Sequence, residues 1–223
     1  MTSMWRGGWM TVNSRRAEHV QDTRDALVQA ARELFADRGY AGTGTEEIVA
    51  RARVTRGALY HHFRDKAGLF RAVMQAVAGE LAQRLVAQEL SDRPGDPGGA
   101  WGQLREGVQA FLDACAGSND FQRIVLVDGP AVLGPGAWND LVEQHGLGLL
   151  RTWLQRAIDD RQIDPLPTEP LARLLAALIA EASLYIGQAA DPARARRETG
   201  HTIDRILVGL RSGPASPDSP AAV

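Results

Sequence analysis

Several things are scarce or missing in this chain, and each absence narrows what it does. One cysteine, Cys115, stands among 223 residues. No intrachain disulfide can form, and a reducing compartment suits the chain. Cys115 lies in the apolar stretch Phe111, Leu112, Ala114 and reads as a buried structural thiol, since a reactive one needs an exposed, electropositive setting. Uninterrupted apolar runs of bilayer length are missing too. The longest, Leu171 to Ala190, is broken by Arg173, Glu181 and Gln188, which suits a buried helix and not a membrane span. The opening residues, MTSMWRGGWMTVNSRR, lack the continuous apolar core of a secretory signal. The fingerprints G-x-S-x-G, H-E-x-x-H, the P-loop and G-x-G-x-x-G are absent, which disfavours hydrolytic, metal and nucleotide chemistry. The expectation is a soluble cytoplasmic protein with no catalytic residue, cofactor, metal site or membrane partner.

What is present is an ordinary globular composition, 44% apolar and 23% charged, enough to bury a sizeable core. The net charge of −2 conceals an asymmetry. Residues 1–71 carry 12 Lys/Arg against 8 Asp/Glu, while 72–223 carry 13 against 19. Between Arg51 and Arg71 six basic side chains face one acid, Asp65. An excess of this kind at one end suits a polyanion partner, although a solvated basic face would look the same.

Helix signals recur along the chain and no strand is convincing, so the fold is expected to be all-α with about nine helices. Leu27, Ala30, Ala31, Leu34 and Phe35 form an amphipathic stripe that Gly39 terminates. Shorter helices are expected over about 45–52, with Glu46 and Glu47 favourable to its dipole, and from the N-cap Thr55 to His62. A longer one follows over about 65–90. After the break SDRPGDPGG come helices near 99–116, 120–127, 137–161, 168–190 and 192–211, separated by DGPAVLGPG, DPLPTEP and ADP. Residues 1–20 and 213–223 read as disordered tails. An N-terminal unit over 21–66, with a pair of short helices at about 44–63, would precede a helical unit over 67–212.

The stretch VTRGALYHHF, Val54 to Phe63, carries the function. Two short helices joined by a three- or four-residue turn describe a helix-turn-helix, whose second helix enters the major groove. Gly57 inside that helix costs about 1 kcal/mol relative to alanine, which is understandable if a backbone or phosphate must come close. Arg56 can reach base edges, with guanine O6 and N7 its usual bidentate partners. Tyr60 and His61, one turn along, suit phosphate oxygens, although Tyr60 could instead pack on the first helix. His61 and His62 point about 100° apart on a helix, whereas zinc helices space their histidines by four.

The elements AARELF, RGY, T-x-T-x-x-I (Thr43, Thr45, Ile48), GALYHHF and K-x-x-L (Lys66, Leu69) occur in this order between Thr23 and Leu81. Together they resemble the N-terminal DNA-binding domain of the TetR (tetracycline-repressor-like) family, over roughly a quarter of the chain. The resemblance implies that Thr43, Thr45, Tyr60, His61 and Lys66 anchor phosphates, while Thr55, Arg56 and Gly57 face the major groove. Gly44 and Arg53 depart from the family pattern. Gly44 replaces the usual hydroxyl N-cap, and Arg53 holds a turn position often given to glycine, where a left-handed backbone is unfavourable. The helical second half also looks like family members, including IVLVDGPAVLG.

That half carries an apolar face over Leu171, Leu174, Leu175, Leu178, Ile179, Tyr185 and Ile186, and another over Ile203, Ile206, Leu207 and Leu210. By the resemblance its last two helices make a homodimer interface, for which Leu174, Leu178, Tyr185, Ile203, Ile206 and Leu210 are candidates; intrachain core is the competing reading. Trp101, Phe111, Phe121, Trp138 and Trp153 are core aromatics or the walls of an effector pocket, with Asp128, His145 and Gln122 as polar fixing groups. The reading is a homodimeric repressor on palindromic double-stranded DNA, released when a small-molecule effector displaces the helix of residues 65–90. An activator of the same fold is the alternative, a helical enzyme a remote one.

Overall fold

Leu27, Ala31 and Phe35 are wholly enclosed, and they form the buried stripe of a long first helix, α1 (Gly8–Arg38), in the computed structural model. The structure describes residues 8–91 and 98–211; the tail expected over 213–223 lies outside them. The N-terminal tail expected over 1–20 is shortened, because α1 begins at Gly8. No proline interrupts 8–26, so each added residue contributes one hydrogen bond once the turns around Leu27 are packed. Residues 18–22 are exposed, and an exposed helix without an apolar stripe leaves no periodic signal.

The next three helices follow their local chemistry. α1 ends where Gly39 turns left-handed at φ +73° and donates to the Phe35 carbonyl at 2.9 Å. α2 (Thr45–Ala52) has Gly44 as its N-cap without a side-chain bond; the Glu47 carboxylate accepts from the Gly44 N–H at 3.4 Å instead. Arg53 closes it in the left-handed region at φ 56°, the conformation the sequence expects. α3 (Arg56–His62) is capped by Thr55, whose Oγ1 accepts from the Ala58 N–H at 3.2 Å. α4 (Lys66–Ser91) starts behind Asp65, which accepts from the Gly68 N–H at 2.7 Å.

Beyond the break come α5 (Gly99–Ala116), a π-helical segment π1 (Phe121–Asp128), α6 (Gly129–Val142), a second π segment π2 (Glu143–Leu147), α7 (Gly148–Asp159), α8 (Thr168–Gln188) and α9 (Pro192–Val208). The expected gap over DGPAVLGPG is therefore mostly helix. Pro130 falls at the start of α6, where its missing N–H breaks no bond. Only Gly134, at φ 79° and ψ 168°, leaves helical geometry. The helix expected over 137–161 is divided among α6, π2 and α7, because the residue inserted at the π turn shifts the 3.6 period.

Two apolar clusters organise these helices. The first joins α1 to α4 with π1, Cys115 and Leu141; its centre is the Phe35–Phe70 edge contact at 5.2 Å between rings, with Tyr40 5.1 Å from Phe70. The second gathers α5, α7, α8 and α9 around Leu104, Leu154, Ile186 and Leu207. The boundary drawn at 66/67 is not a break in packing, since π1 completes the core of the N-terminal unit. α8 is long and apolar enough to cross a bilayer by length and composition. Its Ala172, Leu175, Ile179, Ala182 and Ile186 are nonetheless buried in the second cluster, the pattern of a core helix.

Candidate functional site

The helix-turn-helix is held by its inward residues. Ile48 of α2 and Leu59 of α3 are fully enclosed, and Phe63 nearly so, so the opposite side of α3 has to face solvent. On it stand Thr55, Arg56, Gly57, Tyr60 and His61, all exposed. Tyr60 is 44% exposed and lies outside the apolar core. The Arg56 guanidinium lies 5.7 Å from the centre of the Tyr60 ring and 3.4 Å from Glu46. Both are loose exposed contacts that a stronger anion can displace. A Cβ added at Gly57 would meet only Thr55 Oγ1, at 3.8 Å. Nothing inside the protein therefore asks for glycine there. Arg51, Arg53 and Arg64 are exposed around the same helix pair; Arg51 also pairs with Glu33 at 2.5 Å.

Two of the expected phosphate anchors have other duties. Thr43 is 2% exposed, and its hydroxyl donates to the carbonyls of Gly39 at 2.8 Å and Leu34 at 3.2 Å. It fastens the α1–α2 turn and is withdrawn from any phosphate; a buried hydroxyl finds a backbone acceptor first. Lys66 is half-buried, donating to the Tyr40 carbonyl at 2.6 Å with its ammonium 4.1 Å from that ring's centre. Burial lowers its pKa from the usual lysine value. Thr45 opens α2, half-buried.

Tyr40 is thereby gripped from two sides, because its N–H donates to Asp128 at 2.7 Å. Asp128 ends π1, does not border the cavity below, and is corrected from pocket residue to strut. Further ties run from α1 to α4 and to the segment that starts π1. Arg32 pairs with Asp120 at 2.5 Å and with Glu80 at 2.7 Å. A Cβ at Gly39 would come within 2.5 Å of the Arg123 guanidinium. Burial works against the charge of Asp120, but hydrogen bonds from Ser118 and Arg32 still hold its pKa below the ordinary value.

The second half contains a cavity of about 680 Å³ between α4, α5, π1, α6, π2, α7 and α8, within the usual range for small-molecule pockets. Of the sequence candidates, Phe111, Phe121, His145 and Trp153 border it. Trp101 does not: it is 5% exposed and belongs to the second core, where its large ring fills space between helices. Gln122 is also absent from the lining; its amide donates to the Cys115 carbonyl at 2.9 Å. The side chain of Trp138 lies outside the described residues. The sequence reading missed the α4 wall of Leu81, Leu85 and Val86, and also Gly107, where a Cβ would come within 2.6 Å of the Trp153 ring. Apolar residues beyond a helix's main stripe were the available signal on α4. Cys115 is enclosed, and burial pushes its thiol up to about 12, opposed by a hydrogen bond with Ser183. It is unsuited to redox sensing.

On the outer faces of α8 and α9, Leu174 is 69% exposed, Tyr185 58% and Ile206 46%. Ile203, expected beside them, is 2% exposed and lies in the second core, because it shares the inward stripe of α9 with Leu207. Leu178 and Leu210 are partly buried against the same core.

An outward recognition helix on a buried helix-turn-helix, joined through a long shared helix to a bundle with a cavity, defines a DNA-binding transcriptional regulator. Comparison with known proteins agrees. Residues 27–73 match the model of bacterial regulatory proteins of the tetR family, and residues 101–210 that of the tetracyclin repressor-like C-terminal domain. The chain is similar to the crystal structure of a TetR-family transcriptional regulator from Pectobacterium atrosepticum, with TM-score 0.72 and 32% identity over 89% of this chain and 98% of that one. It is 25% identical to the transposon Tn10 TetC protein of Escherichia coli, over 74% of this chain and 81% of that protein. It is also 35% identical to the transcriptional regulator AcrR of Shigella flexneri, over 36% of this chain and 37% of that protein. The chain belongs to the TetR family; it is a DNA-binding regulator and not an enzyme.

Proposed function

We propose that the protein acts in the cytoplasm as a homodimeric repressor of a palindromic operator, released by a small molecule held in the cavity. The observation that carries this reading is the double attachment of α4. Its middle lines the cavity with Leu81 and Leu85, while its first residue, Lys66, grips Tyr40 of the DNA-reading unit. An occupant that moves α4 moves the helix-turn-helix with it. Arg56 reads base edges, Gly57 lets the backbone approach the duplex, and Thr55, Tyr60 and His61 meet the groove wall and phosphates, with Thr45 at the start of α2. Thr43 and Lys66 act indirectly, by holding the turn that presents them. A second copy seated on Leu174, Tyr185 and Ile206 covers the exposed apolar side chains and places two recognition helices about 34 Å apart, one DNA turn. The effector acts only through its differential affinity for the two arrangements. Moving the population from almost wholly bound to almost wholly free takes about 5.5 kcal/mol of that preference.

Selection of bound sequences from random duplex DNA, followed by a reporter driven through the selected site, tests the reading. A palindrome whose binding falls steeply with salt and which silences the reporter is the expected outcome. Selection of a single asymmetric half-site would remove the dimer, and a reporter switched on would reverse the sign of regulation.

A further inference from the structure

Arg24 of α1 is held in place without being answered. It is half-buried, and its guanidinium carbon lies 5.4 Å from the centre of the Phe63 ring, at the C-cap of α3. The other half-buried arginines among the described side chains all have carboxylate partners: Arg32 with Asp120 and Glu80, Arg105 with Asp204, Arg151 with Glu143, and Arg196 with Asp113. Arg24 has no hydrogen bond or ion pair with any described residue. Polar groups drawn into a fold are paired as a rule, so the open fork of this guanidinium asks for an acceptor from outside the chain.

Its surroundings state the sign of that acceptor. His61 is exposed on α3, with its ring 5.4 Å from that of His62, which is in turn 6.3 Å from Phe63. Arg64 is exposed just beyond. The His62 pKa is lowered by burial first and then by the charges of His61 and Arg24, so these groups share one field. The nearby acids are engaged elsewhere or point away. Asp25 accepts from Gln21 Nε2 at 2.8 Å and Asp65 from the Gly68 N–H at 2.7 Å, while Asp22 is exposed and does not pair with Arg24.

We propose that Arg24 is a phosphate contact: the duplex backbone passing the C-terminal end of α3 lies against the Arg24 fork, next to the phosphate met by His61. The assignment rests on the DNA-facing side of α3 proposed above and extends it to a helix outside the helix-turn-helix. A guanidinium presents its donors in a planar fork that matches two phosphate oxygens. Phe63 is 6% exposed and fixed in the first cluster, so the group resting on its ring is set in direction before DNA arrives. Freedom already given up in the free protein is not lost again on binding. Because Phe63 also closes α3, the cation and the recognition helix hold one spacing. A phosphate contact of this kind fixes register and carries no base preference.

Binding of the full chain to its selected operator and to an unrelated duplex, measured against salt concentration, tests the assignment. Arg24→Met keeps an unbranched apolar stem against Phe63 and removes the charge, whereas Arg24→Lys keeps the charge and removes the fork. Arg24→Met should weaken both duplexes alike, keep the melting temperature, and flatten the plot of log affinity against log salt by about one per half-site. Arg24→Lys should keep the wild-type slope. A methylphosphonate walked along each half-site should find one phosphate whose neutralisation weakens the wild type and leaves Arg24→Met indifferent. An unchanged slope in Arg24→Met, with or without lost affinity, overturns the assignment and makes Arg24 a structural partner of Phe63 alone. Arg56→Ala, measured alongside, separates this failure from a larger one: if it too leaves affinity and base preference unaltered, the DNA-facing side of α3 falls with it.

Discussion

Around Phe35, Leu59 and Phe70 the chain encloses most of its large apolar side chains, and the surface outside them is mainly charged or polar. At the other end, α5, α7 and α8 help to wall a cavity, and Leu174, Tyr185 and Ile206 stand exposed. The two regions answer different demands. A recognition helix has to be held at a fixed angle, so the unit behind it is packed without slack. On the proposed function, the second region has to accept an occupant and a partner, so it forgoes part of the burial that would otherwise stabilise it. π1 belongs to both, contributing Phe121 and Val125 to the cavity and Asp128 to the tie with Tyr40, with Asp120 just before it pairing with Arg32.

The comparison is broken most forcefully in the shared core. Phe35→Ala should cost about 3–5 kcal/mol. Because the first cluster includes π1, backbone circular dichroism and tryptophan fluorescence should lose their signals together in urea. Two separate transitions would show that the regions fold independently.

Next comes the exposed apolar face. Leu174→Glu combined with Tyr185→Glu should leave the chain folded but monomeric in sedimentation, since like charges set opposite each other cost several kcal/mol. Operator binding should fall about 100-fold or more as the second recognition helix is lost. A variant that stays dimeric would place the interface elsewhere.

Gly57→Ala sharpens the contrast within a single residue. Alanine is the better helix former by about 1 kcal/mol, and a Cβ here meets only Thr55 Oγ1 at 3.8 Å. Thermal stability should hold or rise while operator affinity drops about tenfold, as a methyl intrudes where the duplex approaches. Unchanged affinity would dissociate Gly57 from DNA.

The smallest effect concerns His62. Burial, with His61 and Arg24 nearby, lowers its pKa below the ordinary histidine value. As the pH falls, the unfolded chain takes up this proton first, so the contribution is complete above about pH 6.5 and is lost as pH drops toward the folded value. His62→Gln should flatten the slope of melting temperature against pH in that window; an unaltered slope would assign it to other groups.

The helices of the DNA-reading end were legible because each boundary has a local cause: Gly39 stops α1, Thr55 caps α3, and Ile48, Leu59 and Phe63 mark the inward faces. What local pattern could not convey is where a side chain's partners come from. Thr43 fits a phosphate anchor until Leu34 and Gly39 claim its hydroxyl, and Lys66 is diverted by a tyrosine 26 residues earlier. Asp128 looked like a pocket group and proved to be a strut on Tyr40, 88 residues away in sequence. The π segments escaped because an inserted residue erases the periodicity on which helix reading depends. Aromatic residues announced a pocket, but choosing Trp153 over Trp101 required knowing which helix faces the void and which faces the second core.

The account stands most directly on Arg56 at a guanine edge, which methylation interference on the selected operator can test. Methylating guanine N7 at one position in each half-site should block the wild-type protein and leave Arg56→Ala, already weaker, indifferent to the modification. If both proteins respond alike, or no guanine in the site interferes, the outward edge of α3 does not read the groove through Arg56.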